Sequence, residues 1–324
     1  MNLATNRVPT TPWTSPQLRA MEAVVATTPY RLFEVTVRRT QRLSPSFLRI
    51  TVTGSDLHRF ADNGFDQRFK LVLPLPGIGF DHLGRGTDWY QRWRELPGEL
   101  RNPVRTYTVR AVRPARREVD VDVVLHGDTG PVSRWASRTG PGDVVAFVGP
   151  DAWYPGDHGG VGFHPHAGAE ILIAGDETAV PAATSILECL PADTTGEALL
   201  EVPHSADVLP IEHPSGVRVT WLPRDGATHG DRLIPAARET AARLLAAERR
   251  RAGQCLREID VDTDLLWEVP DPGDGTAGGG LYAWLAGEAG VIKTLRRYLV
   301  TDLGVDRRSV AFMGYWRLGR GHPL

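Results

Sequence analysis

The sequence predicts two consecutive units, an N-terminal antiparallel Greek-key β-barrel followed by a doubly wound α/β domain built on a parallel sheet. Three observations carry this. Between Tyr30 and Val148 short segments with a hydrophobic period near two alternate with turn residues. Glu170-Ile171-Leu172-Ile173-Ala174-Gly175 is instead a continuous apolar run closed by glycine, as in a strand buried on both faces. Beyond it, strand-like and helix-like segments alternate towards the C-terminus.

Residues 1–28, with Pro9, Pro12 and Pro16, read as an arm with a short helix around Gln17 to Ala26. The barrel is expected over 29–155. Its strands are Leu32–Val37 and Phe47–Val52, split by the turn-like Leu43-Ser44-Pro45, then Phe69–Leu73, Arg105–Val112, Glu118–Leu125 and Asp143–Val148. Pro74 to Arg101 is a Gly-rich loop with a short helix near Trp89–Glu95, and a helix is expected near Ser133–Arg138. Short strands at this spacing, with so little helix between them, suggest closure into a barrel.

The α/β domain is expected over 168–324. Its parallel strands are Glu170–Gly175, Ala198–Val202, Val217–Leu222, Leu281–Ala286 and Val310–Phe312, with helices at Pro181–Leu190, Leu233–Arg251 and Ala289–Leu303. Two stretches interrupt the pattern. Pro155–Gly168 is rich in Gly and His, and an insertion at about 254–280 is acidic and ends in glycines, as a surface loop would.

The chain has 324 residues, which suits two domains. Its 37 Lys and Arg against 39 Asp and Glu give a net charge of −2, which supplies no footprint for nucleic acid. Lysine occurs only at Lys70 and Lys293; the bias towards Arg reads as base-composition drift. Two cysteines, Cys189 and Cys255, sit in dissimilar contexts and suggest neither a disulfide framework nor a metal site. The N-terminus lacks the apolar core of a signal peptide, and no apolar run approaches a membrane span. A cytoplasmic protein without a membrane span is the expectation, and a monomer.

Arg105-Thr106-Tyr107-Thr108 ends a strand. Side chains alternate along a strand, so Arg105 and Tyr107 share a face and Thr108 takes the other. A flavin needs such a set: a guanidinium for its pyrophosphate, an aromatic plane beside the ring and a donor near the ring nitrogens. Alone, the tetrapeptide is an ordinary strand; the rest of the chain lifts it. His126-Gly127-Asp128-Thr129-Gly130-Pro131-Val132-Ser133 follows a strand and opens a helix, where free N–H groups can face an anion or simply be capped. Gly175-Asp176-Glu177-Thr178 closes the first parallel strand, where nucleotides bind in such sheets. The two carboxylates there suit ribose hydroxyls or helix capping. Gly287-Glu288 closes a later strand in the same form, followed by a helix carrying Lys293, Arg296 and Arg297. Those cations read either as a solvated face or as an attractor for an anionic substrate at the cleft mouth. Tyr315 and Trp316 read as core or as aromatics near a flavin. His158, His164 and His166 lie in a Gly-rich stretch without an adjacent carboxylate or Cys, so no metal site is expected.

Together these motifs, with Trp221-Leu222-Pro223-Arg224-Asp225-Gly226, Trp284–Glu288 and Gly314-Tyr315-Trp316-Arg317-Leu318-Gly319, resemble the siderophore-interacting protein family of FAD-dependent ferric-siderophore reductases, within the ferredoxin-reductase-like superfamily. They occur in the family's order across most of residues 30–320. The resemblance implies an FAD-binding barrel and an NAD(P)H-binding domain. It implies that Arg105, Thr106, Tyr107, Thr108, His126, Gly130, Pro131, Val132 and Ser133 hold FAD, and that Gly175, Asp176, Glu177, Thr178, Gly287 and Glu288 line the site of NADPH or NADH. For a ferric siderophore the candidates are Lys70, Lys293, Arg296 and Arg317. Glu201, ending the second parallel strand, disfavours NADPH if it faces the ribose, with Arg224 able to offset it. No catalytic acid, base or nucleophile is expected, since electrons pass through the flavin. The alternatives are another flavin or ferredoxin-type reductase on the same scaffold, a member that takes electrons from ferredoxin, and a non-catalytic siderophore-binding protein.

Overall fold

The computed structural model describes residues 27–84, 88–125, 130–252, 267–269 and 280–319. The expected N-terminal arm and most of the 254–280 insertion lie outside the described residues.

Seven antiparallel strands form the first unit: β1 (Tyr30–Arg42), β2 (Phe47–Thr53), β3 (Arg68–Val72), β4 (Val104–Thr108), β5 (Ala111–Arg113), β6 (Glu118–Val124) and β7 (Val144–Pro150). Their spatial order is β4-β3-β7-β1-β2-β6-β5. The single strand expected over Arg105–Val112 is in fact two, and the break explains the barrel. Val109 N–H donates to the Gln67 carbonyl, while Arg110 N–H donates to the Asp120 carbonyl. One continuous stretch therefore changes partner from β3 to β6 within two residues, and the two edges of the curled sheet meet in it. Alternate residues of the strands fill the interior, with Phe33, Ile50, Phe69, Leu71, Val121 and Phe147 all buried. The Phe69 and Phe147 rings lie 4.5 Å apart. Between strands sit the short helices α1 (Trp89–Glu95) and α2 (Pro131–Ala136).

The second sheet contains β8 (Glu170–Gly175), β9 (Gly196–Val202), β10 (Val217–Pro223), β11 (Trp267–Glu268), β12 (Leu281–Glu288) and β13 (Val310–Trp316) in the order β10-β9-β8-β12-β13-β11. All pairings are parallel except that of β11 with β13. Helix α3 (Val180–Cys189) covers one face, and α4 (Leu233–Ala252) with α5 (Ala289–Arg297) covers the other. The β8 run is apolar throughout for this reason: Ile171 and Ile173 pack with α3, Leu172 and Ala174 with α4 and α5. The helix expected over 289–303 ends its α-helical part at Arg297 and continues as a π-helical turn over Tyr298–Asp302. β11 lies within the expected insertion; a two-residue edge strand has no period for the sequence to show.

Strand order reverses between β8 and β12, so a crevice forms outside the C-terminal ends of these strands, beside Gly175 and Gly287. The barrel is fixed against this domain by buried carboxylates. Asp207, fully enclosed, accepts from the Ser44 hydroxyl at 2.6 Å and from the Ser46 amide and hydroxyl at 2.8 Å. Asp66 accepts from the Trp284 indole at 3.1 Å. Phe47 and Val124 of the barrel enter the core of the α3 face. Among the described residues no helix is long and apolar enough to cross a membrane.

Candidate functional site

β4 is an edge strand, paired with β3 on one side and, among the described residues, with no strand on the other. Its free backbone edge is framed by side chains of both faces. Opposite pairs are Leu71 with Arg105 and Phe69 with Tyr107 on the core side, and Lys70 with Thr106 and Arg68 with Thr108 on the outer side. The Arg105 guanidinium is half-buried, donates to the Val104 carbonyl at 2.9 Å, and meets no carboxylate among the described residues. Burial lowers its pKa, as expected of a cation with no counter-charge. Burial raises the Tyr107 phenol pKa, and the ring packs against the barrel core. Lys70 donates to the Thr106 hydroxyl at 2.8 Å; burial first, and then neighbouring Arg68, lower its pKa.

These features fit a flavin dinucleotide. A desolvated guanidinium awaiting an anion, a ring beside it and an unpaired strand edge are what its pyrophosphate, isoalloxazine and polar ring edge require. Gly130, extended, caps α2, with Pro131 in its first turn and Val132 and Ser133 buried. His126 lies outside the described residues.

At the strand-end crevice the carboxylates serve donors of the protein itself. One Asp176 oxygen accepts the Thr178 amide at 2.9 Å and its hydroxyl at 2.5 Å. The other accepts the Glu288 amide at 2.7 Å and the Trp316 indole at 2.8 Å. Burial, with Glu177 adding to it, pushes the Asp176 pKa up to about 6 against these donors. Glu177 is held by Arg224 in a two-pronged pair at 2.6 and 2.9 Å. Glu288 caps α5 through the Val291 amide at 2.9 Å and accepts the Leu318 amide at 3.1 Å.

Glu201 does not face a ribose. It is fully buried, accepts the Gly230, Arg232 and Leu233 amides at the start of α4, and lies 3.3 Å from Arg224. The sequence reading missed His229, whose ring meets Trp316 edge-on at 4.8 Å; a histidine in a turn carries no periodic signal. Asp176, Glu177 and His229 offer ligand atoms within 4.8 Å of one another, but the two carboxylates already serve the donors above. His158 and His164 each turn a ring nitrogen to a backbone carbonyl, of Asp151 and Val161.

The four cations proposed for an anionic substrate are dispersed. Lys70 lies on β3 beside Arg68, and Lys293 is exposed on α5. Arg296 on the same helix is ion-paired with Glu268 at 3.1 Å and lies over the Phe312 ring. Arg317 is exposed beyond β13. Tyr315 stacks on Trp267 of β11, and Arg68 lies over the other aromatic partner of that pair, with its Cζ 4.5 Å from the Trp267 centroid.

A curled antiparallel barrel joined to a doubly wound domain with a switch-point crevice is the two-unit fold of ferredoxin-reductase-like proteins. Comparison with known proteins agrees. Residues 36–154 match the siderophore-interacting FAD-binding domain and residues 168–319 match the siderophore-interacting protein model. The chain is 32% identical over 289 residues to the NADPH-dependent ferric-chelate reductase of Escherichia coli, covering 88% of this chain and 93% of that one. It is 29% identical over 245 residues to the ferric vibriobactin reductase ViuB of Vibrio cholerae, covering 72% and 86%. The crystal structure of a siderophore utilization protein from T. fusca superposes with a TM-score of 0.63 at 28% identity, over 91% of this chain and 96% of that one. The chain belongs to the siderophore-interacting protein family, and is an FAD-dependent oxidoreductase.

Proposed function

We propose that the chain is an NAD(P)H-dependent ferric-siderophore reductase that releases iron as Fe(II). The observation that carries this reading is Arg105: a half-buried guanidinium without a carboxylate partner among the described residues, next to Tyr107 on a free strand edge. Arg105 would hold the FAD pyrophosphate, Tyr107 would lie along the ring, and Thr106 and Thr108 would face its polar edge. His126 and Gly130 to Ser133 would meet the rest of the cofactor. FAD, when bound, supplies acceptance of a hydride and release of single electrons.

The protein's own part is binding and orientation. Gly175 and Gly287 let the strand ends pack closely, since a Cβ would collide with Ala179 and Ala286 at the first and with Asp176 at the second; Asp176, Glu177, Thr178 and Glu288 brace the walls of the crevice in which a dinucleotide would lie. A ferric chelate is bulky and often anionic, and electron transfer asks for proximity without a bond to iron. Lys70 and Arg68, adjacent on the outer face beside Thr106, would draw it to that edge, with Lys293 and Arg317 as outlying attractors. Arg296 is committed to Glu268.

An anaerobic visible spectrum tests this. NADH and NADPH are added separately to the FAD-loaded protein, followed by ferric hydroxamate and catecholate chelates with a ferrous trap. Flavin bands that bleach with a nucleotide and return as Fe(II) appears are the expected result. Bands that return only with oxygen would leave the flavoprotein and remove the siderophore reductase.

A further inference from the structure

The two-residue strand β11 brings one side chain to the junction of the two units. Trp267 pairs in register with Met313 of β13 and is 38% exposed. Its indole is stacked with the Tyr315 ring at 6.0 Å between centroids and 28° between planes. The Arg68 guanidinium of barrel strand β3 lies over the same indole at 4.5 Å, and its Nε donates to the Gly160 carbonyl at 3.1 Å. Arg68 is in turn directly opposite Thr108, the last residue of the flavin-binding edge strand. β11 is fixed from its other face as well, since Glu268 pairs with Arg296 of α5. Trp267 is thus clasped between the barrel and the end of β13, and it comes from the 254–280 stretch that interrupts the alternation of strands and helices.

We propose that Trp267 is a positioning residue: it holds the Tyr315 ring in place at the flavin edge, so that the insertion of this chain sets how the flavin face is covered. This rests on the FAD site described under Proposed function. The chemistry needed is modest. A stacked aromatic pair biases a side-chain equilibrium by about 2- to 10-fold, and a guanidinium over the indole adds to that bias. In this proposal Trp267 acts through Tyr315.

The test uses the FAD-loaded full chain and flavin fluorescence, which an electron-rich phenol held against isoalloxazine quenches. Trp267→Ala, Tyr315→Ala, the double variant and Trp267→Phe are compared at equal FAD content in a Tyr107→Phe background, which keeps a ring at that position but removes its phenol as a quencher, with thermal unfolding midpoints as a check on folding. The expected result is that Trp267→Ala brightens the flavin several-fold, to the level of Tyr315→Ala, that the double variant adds nothing, and that Trp267→Phe stays dark. The KM for the nicotinamide donor moves in the same order, with kcat following only in the alanine variants.

Two results would overturn the proposal alone: a dark Trp267→Ala beside a bright Tyr315→Ala, or a double variant in which the effects add in full. A Trp267→Phe protein as bright as Trp267→Ala would also overturn it, because the indole itself would then be the quencher. If Tyr315→Ala stays dark although FAD is bound, Tyr315 is not at the flavin and the proposal falls with that placement. Failure of all four variants and of the wild type to retain FAD would instead strike the cofactor site itself.

Discussion

The Asp176 carboxylate accepts the Trp316 indole N–H at 2.8 Å, and with the Glu288 amide on the same oxygen it ties together the ends of β8, β12 and β13. Desolvation, and Glu177 next to it, raise its pKa to about 6 from an ordinary aspartate value. A folded-state pKa above the unfolded one means that the native chain binds the extra proton. The associated stability is complete below about pH 4 and is lost as pH rises through about 6, a span worth about 3 kcal/mol. Asp176→Asn, which cannot titrate, should therefore cost more at pH 4.5 than at pH 7.5 in urea unfolding. A cost independent of pH would mean that the four donors hold the carboxylate at an ordinary pKa.

The strand ends also mark where the sequence was legible. The barrel, the doubly wound sheet and its glycine-closed strands were visible because periods of two and continuous apolar runs are local signals. Arg105 to Thr108 was visible because the residue types needed for a flavin adjoin in one strand. The partners of Asp176 were not: Trp316 lies 140 residues away in sequence, and a carboxylate beside a glycine reads equally as a cap or a ribose ligand. Asp66 and Asp207 carry no local signal of their own, yet both are buried where barrel meets sheet, because only the docked units supply their donors. The role of Glu201 stayed open for the same reason, since the α4 amides it accepts come from a turn some 30 residues downstream.

Arg224 is enclosed by Glu177 and Glu201, both essentially inaccessible to water. A nucleotide phosphate could reach this guanidinium only by breaking that cluster, so its role is structural. Arg224→Met removes the charge and keeps much of the volume, leaving two buried carboxylates without that guanidinium. The expected loss is about 3–5 kcal/mol by urea unfolding. Replacing both glutamates by glutamine alongside Arg224→Met should restore much of it, since the charges are then gone together. A single-variant cost under about 1 kcal/mol would show that water reaches the pair.

Arg105 should matter for cofactor retention far more than for folding, because it is a partly desolvated cation that among the described residues donates to the Val104 carbonyl and meets no carboxylate. Arg105→Ala is expected to weaken FAD binding roughly 10- to 100-fold, the worth of a charge-assisted hydrogen bond set. Unfolding without FAD should be unchanged or slightly favoured against. Arg105→Lys keeps the charge but not the planar fork, and should fall between. Titration of the FAD-free protein by fluorescence measures all three; equal affinities would place the pyrophosphate elsewhere.

Gly287 gives a last and sharper test of the Asp176 hub. A Cβ there would stand 2.6 Å from an Asp176 oxygen, at a φ of +143° that side chains rarely adopt. Gly287→Ala must therefore both strain the backbone and push Asp176 off its donors. Gly226, with φ +99° and nothing within 4 Å of its would-be Cβ, supplies the strain without the collision. Gly226→Ala should cost about 1–3 kcal/mol and leave Trp316 emission unchanged. Gly287→Ala should cost more and shift that emission. In a double-mutant cycle, Gly287→Ala and Asp176→Asn should be strongly non-additive, because each removes the same contacts, whereas Gly226→Ala and Asp176→Asn should simply add. Additivity in the first pair would mean that the carboxylate is free to move aside, and that the three strand ends are not held by it.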